Sequence, residues 1–375
     1  MITHAFFDAF PPVSKADWLA QIAKDLKDKS LEDLNWSLAD DLKISPLTHA
    51  DDFSKPAGKL WPAPKNWEIN ELIQVDDPVA ANRVALNALE GGVEGLRFAL
   101  PVFDTPAFLE TLLQNVHLDY IGLHFEGASL QQNPSLALGF LAKIAEERGL
   151  KTEQLRGSLA YRPIQPGLTP DWRYLSELLA YAQTTFPGFK LIEIPFSLHE
   201  HPVTSLSETL GYLDACLKAL TARGVSPDHL TRSIRFSIPV GRHYFFEIAK
   251  LRALQILWLN VLKAWGAEPT TAHLSCEIAP EAFTDDLYTN MIRGTSIAMS
   301  AIIGGASQLT VQPYDQGREQ LAAYPPAFGR RIARNVQHLL KMESHLDGYV
   351  DAAAGSYYIE QLTNTLAEKA WVEFV

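Results

Sequence analysis

The sequence predicts an α/β protein that folds as a (β/α)8 TIM barrel behind an N-terminal helical and extended arm. From about residue 77 onward, short apolar segments alternate with amphipathic helical segments. This alternation forces parallel strands joined by right-handed crossovers. Most of the predicted helices stop at a glycine, as at Gly149, Gly224 and Gly304. Eight such units close into a barrel.

The arm comprises residues 1–66 and precedes a predicted barrel domain at 67–375. A helix signature starts at the capping residue Ser14, and apolar residues recur every four positions from Trp18. A polar, proline-rich stretch without periodicity follows it. Such a segment wraps over a surface rather than folding alone, so we expect the arm to contact its own barrel or a partner.

Each predicted strand is a short, mostly apolar run, and each predicted helix has apolar residues three or four positions apart. The first helix runs from Asp77-Pro78 to the glycines at 91 and 92. The predicted strands are 94–100, 120–125, 156–161, 189–196, 232–240, 272–278, 307–313 and 348–353. The remaining predicted helices are 105–116, 134–149, 171–186, 204–222, 243–265, 285–301 and 326–344.

Composition and charge restrict the class of function. Apolar residues make up 47% of the chain and charged residues 20%, which is ordinary for a globular protein. The net charge of -12 argues against binding nucleic acid or an anionic membrane. The start of the chain lacks a secretion signal, and Cys216 and Cys276 form neither a disulfide framework nor a zinc motif. A cytoplasmic location is expected.

Reactive groups of such barrels lie after the carboxyl ends of the strands. The stretch His199-Glu200-His201 follows the fourth predicted strand, and His124 and His243 follow two others. Histidines and carboxylates at a barrel mouth suit zinc or manganese, which makes His199 and His201 candidate metal ligands. Solvated or capping histidines are the alternative, because two histidines one residue apart share a face only in extended backbone.

Three stretches carry a family resemblance: Phe245 to Ala253, Tyr288 to Thr295, and Phe328 to Glu343, the last followed by Gly355-Ser356-Tyr357-Tyr358. With this order and spacing the chain resembles the barrel domain of methylmalonyl-CoA mutase. The resemblance is good over residues 230–375 and looser over 65–230. It implies carbon-skeleton rearrangement of an acyl-CoA, with adenosylcobalamin supplying the radical.

The resemblance also suggests substrate-pocket candidates, namely Arg162, Arg242, Gln312 and Tyr357. Arg162, Arg242 and Arg235 are candidates for binding CoA phosphates, with salt bridging as the simpler alternative. His273 is a candidate leftover general acid, with a core histidine as the alternative. Tyr357 and Tyr358 are expected in the eighth βα turn near the barrel mouth, as scaffold that packs the last helix.

The chain departs from catalytic members of the family where the chemistry lies. Their Arg-Gln-Tyr-Ala-Gly segment has no counterpart in residues 66–74, and their Gln-Asn-Asp run is replaced at 158–163. After His273, residues 275–280 replace their Thr-Ser-Gly-Trp. The cobalt-ligating motif Asp-x-His-x-x-Gly is missing from the sequence, so we expect the C-terminal flavodoxin-like cobalamin domain to be absent from this chain.

These departures resemble the small, beta subunit of the heterodimeric bacterial enzyme. The expected function is therefore that of a non-catalytic small subunit, inactive alone, of an isomerase that interconverts methylmalonyl-CoA and succinyl-CoA. The catalytic large subunit is the expected partner, and it would bind adenosylcobalamin and the acyl-CoA. The alternative is a stand-alone, possibly metal-dependent barrel enzyme that uses the histidines at the mouth.

Overall fold

The structure is a computed structural model that describes residues 12–27, 29–53, 66–199 and 201–375. Its main sheet is parallel throughout and closes on itself, which confirms the predicted barrel. Closure depends on one long strand that is interrupted only at Leu191. Its first part, β7 (Gly188–Lys190), pairs with β6 (Arg156–Leu159), and its second part, β8 (Ile192–Pro195), pairs with β9 (Ile234–Val240).

The other elements follow the alternation that the sequence predicts. The remaining strands are β1 (Trp36–Ala39), β2 (Leu42–Ile44), β3 (Glu68–Gln74), β4 (Gly95–Ala99), β5 (Gly122–Glu126), β10 (Leu274–Ile278) and β11 (Gln308–Thr310). The helices are α1 (Lys15–Leu26), α2 (Pro78–Glu90), α3 (Pro106–Leu112), α4 (Ala128–Gln132), α5 (Pro134–Glu147), α6 (Trp172–Thr185), α7 (Pro202–Thr221), α8 (Pro227–Ser233), α9 (Tyr244–Trp265), α10 (Leu287–Ile303), α11 (Pro326–His338) and α12 (Tyr357–Phe374). No helix among the described residues is long and apolar enough to cross a membrane.

Two predicted strand positions are wrong. The first barrel strand is β3, which pairs with both β4 and β11, whereas the sequence placed this stretch before the first strand. The predicted eighth strand at 348–353 does not form. A single turn of 3-10 helix at Leu346–Gly348 leads instead into a loop in which Asp351 has a positive φ of 48°. The barrel still has eight strands. Because β3 is an additional first strand, each of the seven predicted strands that do form takes the next position in the barrel.

The phenylalanines of the strands pack outward. Arg97 of β4 points into the barrel, so the strand alternation turns Phe98 to the helix side. Phe98 stacks on Phe125, with 6.1 Å between ring centroids. Phe236 packs edge-on against Trp258 of α9 at 5.5 Å. The helices therefore cover an aromatic and aliphatic layer, and the barrel axis is left to polar side chains.

The second half of the arm packs on the barrel. Leu42 and Ile44 of the β1–β2 hairpin are buried. At the hairpin turn, Oδ1 of Asp41 lies 2.6 Å from Nε2 of His201, which precedes α7. Further along, Phe53 contacts the ring of Tyr357. The first helix differs, because α1 contains no buried residue.

Candidate functional site

A buried guanidinium occupies the barrel axis. Nη1 of Arg97 lies 2.8 Å from Oε2 of Glu277, and Nη2 lies 2.6 Å from Oε2 of Glu126. Nη1 also donates to the hydroxyl of Thr310 at 2.8 Å. Burial alone would lower the pKa of Arg97, but the two carboxylates outweigh it and raise that pKa. Arg97 is therefore held charged between its two partners.

A second buried ion-pair group lies beside it. Nε of Arg162 donates to Oε1 of Glu193 at 2.8 Å, and Nη2 of Arg235 donates to the other carboxylate oxygen, Oε2. Burial alone would raise the pKa of Glu193, but the two guanidinium groups outweigh it and hold that pKa below its usual range. One carboxylate thus serves two arginines.

The third group joins a histidine to three other strands. Nε2 of His124 lies 2.6 Å from Oε1 of Glu68, and its Nδ1 lies 2.9 Å from the hydroxyl of Ser158. Gln308 donates to the same Glu68 oxygen at 3.1 Å. Burial lowers the pKa of His124, and Glu68 offsets this only in part. The ring is a structural element inside the barrel, whereas the sequence placed it on a loop at the mouth.

Above these groups a cavity of about 840 Å³ opens at the carboxyl ends of the strands. Its charged and aromatic lining residues are Arg97, Glu126, Glu277, Arg162, Glu193 and Tyr212. The Tyr212 hydroxyl donates a hydrogen bond to the backbone carbonyl of Ile164 at 3.1 Å. The mouth is thus polar, but its arginines and carboxylates are paired with one another.

The predicted substrate-pocket residues are not brought together. Arg162 lines the cavity. Gln312 donates to Oε1 of Glu277 but lines a separate cavity of about 210 Å³ between β3 and α11. Arg242 is exposed after β9. Tyr357 follows no strand, contrary to prediction. It begins α12, is 45% exposed and packs on Phe53 of the arm.

His273 lies inside the barrel just before β10, and its Nε2 is buried without a hydrogen-bond partner among the described residues. Burial lowers its pKa well below the usual value, and the charge of Lys190 lowers it further. A ring in this state is neutral at pH 7. Its role as a general acid remains a prediction.

The histidines of the predicted metal site point to different partners. Nε2 of His199 lies 2.6 Å from Oε2 of Glu208, whereas Nε2 of His201 lies 2.6 Å from Oδ1 of Asp41 in the arm. Glu200 lies outside the described residues. In the part of the chain that the structure describes, no three His, Cys, Asp or Glu side chains form a group that could hold a metal ion.

The sequence interpretation missed Arg97 and Glu193 among the axial residues. Each is a single charged residue inside an otherwise apolar strand, in Leu-Arg-Phe and Ile-Glu-Ile. Such a residue must face a partner or a cavity, because an isolated buried charge is strongly unfavourable. That signal was available, although it does not tell which strands supply the partners.

Fold and site together define a (β/α)8 barrel whose axis is filled by hydrogen-bonded charges. The family model described as methylmalonyl-CoA mutase matches residues 59–375. The chain therefore belongs to the methylmalonyl-CoA mutase family, as its three motifs suggested.

Relatives cover nearly the whole chain. It is 31% identical to a methylmalonyl-CoA mutase small subunit of Porphyromonas gingivalis, over 98% of this chain and 63% of the relative. It is 28% identical to a small subunit of Streptomyces virginiae, over 96% of this chain and 63% of the relative. A methylmalonyl-CoA mutase of Rhizobium meliloti is 26% identical, over 95% of this chain and 56% of the relative. The chain thus spans less than two thirds of the length of these relatives.

The family implies an enzyme that works with adenosylcobalamin. The described residues at the barrel mouth do not fit that group. The imidazoles of His199 and His201 are bound to carboxylates, and the guanidinium and carboxylate groups of the mouth are bound to one another. No step of the chemistry is therefore assigned to a cofactor held by these residues.

Proposed function

We propose that this chain is the non-catalytic small subunit of an adenosylcobalamin-dependent methylmalonyl-CoA mutase. A homologous large subunit would bind the cofactor and interconvert methylmalonyl-CoA and succinyl-CoA. The observation that carries the proposal is the barrel axis closed by Arg97, Glu126 and Glu277. A side chain that completes such a network is not available as an acid, base or ligand in the same place.

The polar groups of the interior support a structural role. A buried ion pair is strongly destabilising to break, because the remaining charge is left in a low-dielectric interior. The Arg97 and Glu193 groups join β4, β5, β8, β9 and β10 from the inside. They give the barrel a fixed shape that a partner subunit can pack against.

We divide the chain into an arm at residues 1–66 and a barrel domain at 67–375. The arm supplies a surface for that partner. In α1 the residues Trp18, Leu19, Ile22 and Leu26 share one face and are only half-buried. Lys15 fixes the helix to its own chain by binding Asp52 at 2.5 Å. An apolar face held in place and still partly exposed suits a permanent subunit contact, and such contacts usually bury more than about 2,000 Å².

Coexpression with a large subunit of the same family tests the proposal. A stable 1:1 complex is expected, and its mutase activity should need added adenosylcobalamin. Arg162→Ala in this chain removes a guanidinium from the mouth cavity and should leave turnover by the complex unchanged. Failure of the unaltered chain to form a complex, or loss of turnover by an Arg162→Ala complex that still assembles, would contradict it.

A further inference from the structure

Arg235 is a deeply buried arginine with unmade hydrogen bonds. Its side chain is 1% exposed, and only Nη2 has a partner, Glu193. Nε and Nη1 have no acceptor among the described residues. Buried N–H groups are nearly always paired with protein, water or an ion, because an unpaired one forfeits its hydration without compensation. These two N–H groups therefore leave room for an acceptor such as a bound water molecule or an ion.

The side chains around it add donors and positive charge. His273 is next to Arg235 across the β9–β10 ladder, since the amide of Phe236 donates to its carbonyl at 2.8 Å. Lys190 ends β7 on the other side, where the amide of Leu191 donates to the carbonyl of Ser233 at 2.8 Å. Neighbouring strands lie about 4.8 Å apart, so the long side chains of Lys190 and Arg235 and the ring of His273 are within reach of one another.

The electrostatics agree with this convergence. Burial lowers the pKa of His273, the charges of Lys190 and Arg235 lower it further, and a weaker contact with Gln308 acts the other way. Lys190 donates its Nζ hydrogen to the carbonyl of Arg232 at 3.0 Å, and burial lowers its pKa to about 8. Among the described residues, the carboxylate that binds Arg235 is that of Glu193, which Arg162 shares. Positive charge thus exceeds negative charge at this point.

We propose that a small inorganic anion of the size of chloride binds inside the barrel between Arg235, Lys190 and His273. A monatomic anion accepts hydrogen bonds from any direction and also offsets the excess charge. A water molecule would do only the first. This site is separate from the ion pairs of Arg97, and it does not depend on the proposed partner subunit.

Halide titration of the purified chain tests the proposal. The protein is first equilibrated in potassium gluconate, and bromide or chloride then replaces gluconate at constant ionic strength while thermal unfolding is followed. A ligand that binds only the folded state raises the Tm in a saturable way. Lys190→Met should weaken the apparent halide affinity at least tenfold. Lys143→Met, which removes an exposed lysine of α5, should leave it unchanged.

Bromide-soaked crystals of the unaltered chain give a second readout that does not depend on a variant folding. An anomalous peak in contact with the Arg235 guanidinium is expected. The proposal is overturned if halides give no saturable rise in Tm, if the rise survives Lys190→Met, or if the anomalous peaks lie only on the surface.

Discussion

Arg97 on β4 and Glu277 on β10 form an ion pair inside the barrel, with 2.8 Å between Nη1 and Oε2. The two strands are not neighbours, because β3 and β11 lie between them. The same guanidinium binds Glu126 on β5. One side chain therefore ties distant strands together and occupies the place where a ligand threaded along the axis would have to pass.

Replacing this arginine should destabilise the barrel. Arg97→Met leaves Glu126 and Glu277 without their charged partner, and breaking a buried pair in this way costs about 3–5 kcal/mol. Urea unfolding measures the loss. Arg173→Met on α6 is the matched control, because Arg173 and Glu177 form a solvent-exposed pair, and such pairs contribute little to stability. Equal effects of the two substitutions would show that the axial pair does not stabilise the fold.

The C-terminal helix should depend on one aspartate. Nε and Nη2 of Arg252 bind the two oxygens of Asp351 at 2.9 and 3.1 Å, and Nη2 also binds Glu360 of α12 at 2.7 Å. Asp351→Asn keeps a residue type that tolerates the positive φ at this position but removes the charge. We expect a loss of about 2 kcal/mol.

Hydrogen exchange locates that loss. Amides of α12 should exchange faster in the Asp351→Asn variant, whereas those of α5, on another part of the barrel, should change only with global stability. Asp347→Asn, a nearby substitution in the same loop region, serves as the control. Unchanged exchange in α12 would mean that the Arg252 network does not hold the helix in place.

Stability should fall as the solution is acidified below neutral pH. Burial holds the pKa values of His124 and His273 below their usual range, so the folded state binds fewer protons than the unfolded chain. Below about pH 6.5 the unfolded chain takes up these protons, and the free energy of unfolding decreases. His273→Gln should reduce the loss between pH 7 and 5 by about 1–2 kcal/mol, measured by urea unfolding. The control His117→Gln, at an exposed position, should leave the loss of stability on acidification unchanged. Equal effects of the two substitutions would contradict the claim that buried His273 causes part of this loss.

Partner binding, on the proposed function, should depend on α1. Ile22→Asp places a charge on the half-buried face of this helix and should weaken the complex at least tenfold, which is about 1.4 kcal/mol. The stability of the isolated chain should change little, since α1 contains no buried residue. Ala23→Asp puts the same charge at an exposed neighbouring position and should bind normally. Calorimetric titration of the large subunit measures both, and equal affinities would remove α1 from the interface.

The barrel could be predicted from the sequence because its helices and most of its strands have clear apolar patterns. The first strand was missed because Glu-Ile-Asn-Glu-Leu-Ile-Gln carries polar residues on both faces. One face serves the interior network, and on the other Glu71 binds Arg334 of α11 at 2.6 Å. Without its partners such a strand resembles a surface segment. The stretch at 348–353 was mistaken for a strand because local composition does not show that Arg252 fixes Asp351 in a loop.

The site was harder to predict than the fold. Arg97 and Glu277 are 180 residues apart, and their contact requires the register of four strands to be known. The histidines at the mouth suggested a metal site because they are close in sequence. His199 and His201 nevertheless bind carboxylates from α7 and from the arm. Proximity along the chain indicates a shared site only when the side chains point the same way.

Turnover of methylmalonyl-CoA by the isolated chain, by the large subunit and by their mixture is the most direct test of the central claim. The proposed function predicts no turnover by this chain with added adenosylcobalamin, and full activity only when the large subunit is present. Turnover by this chain alone would show that its barrel carries out the chemistry itself.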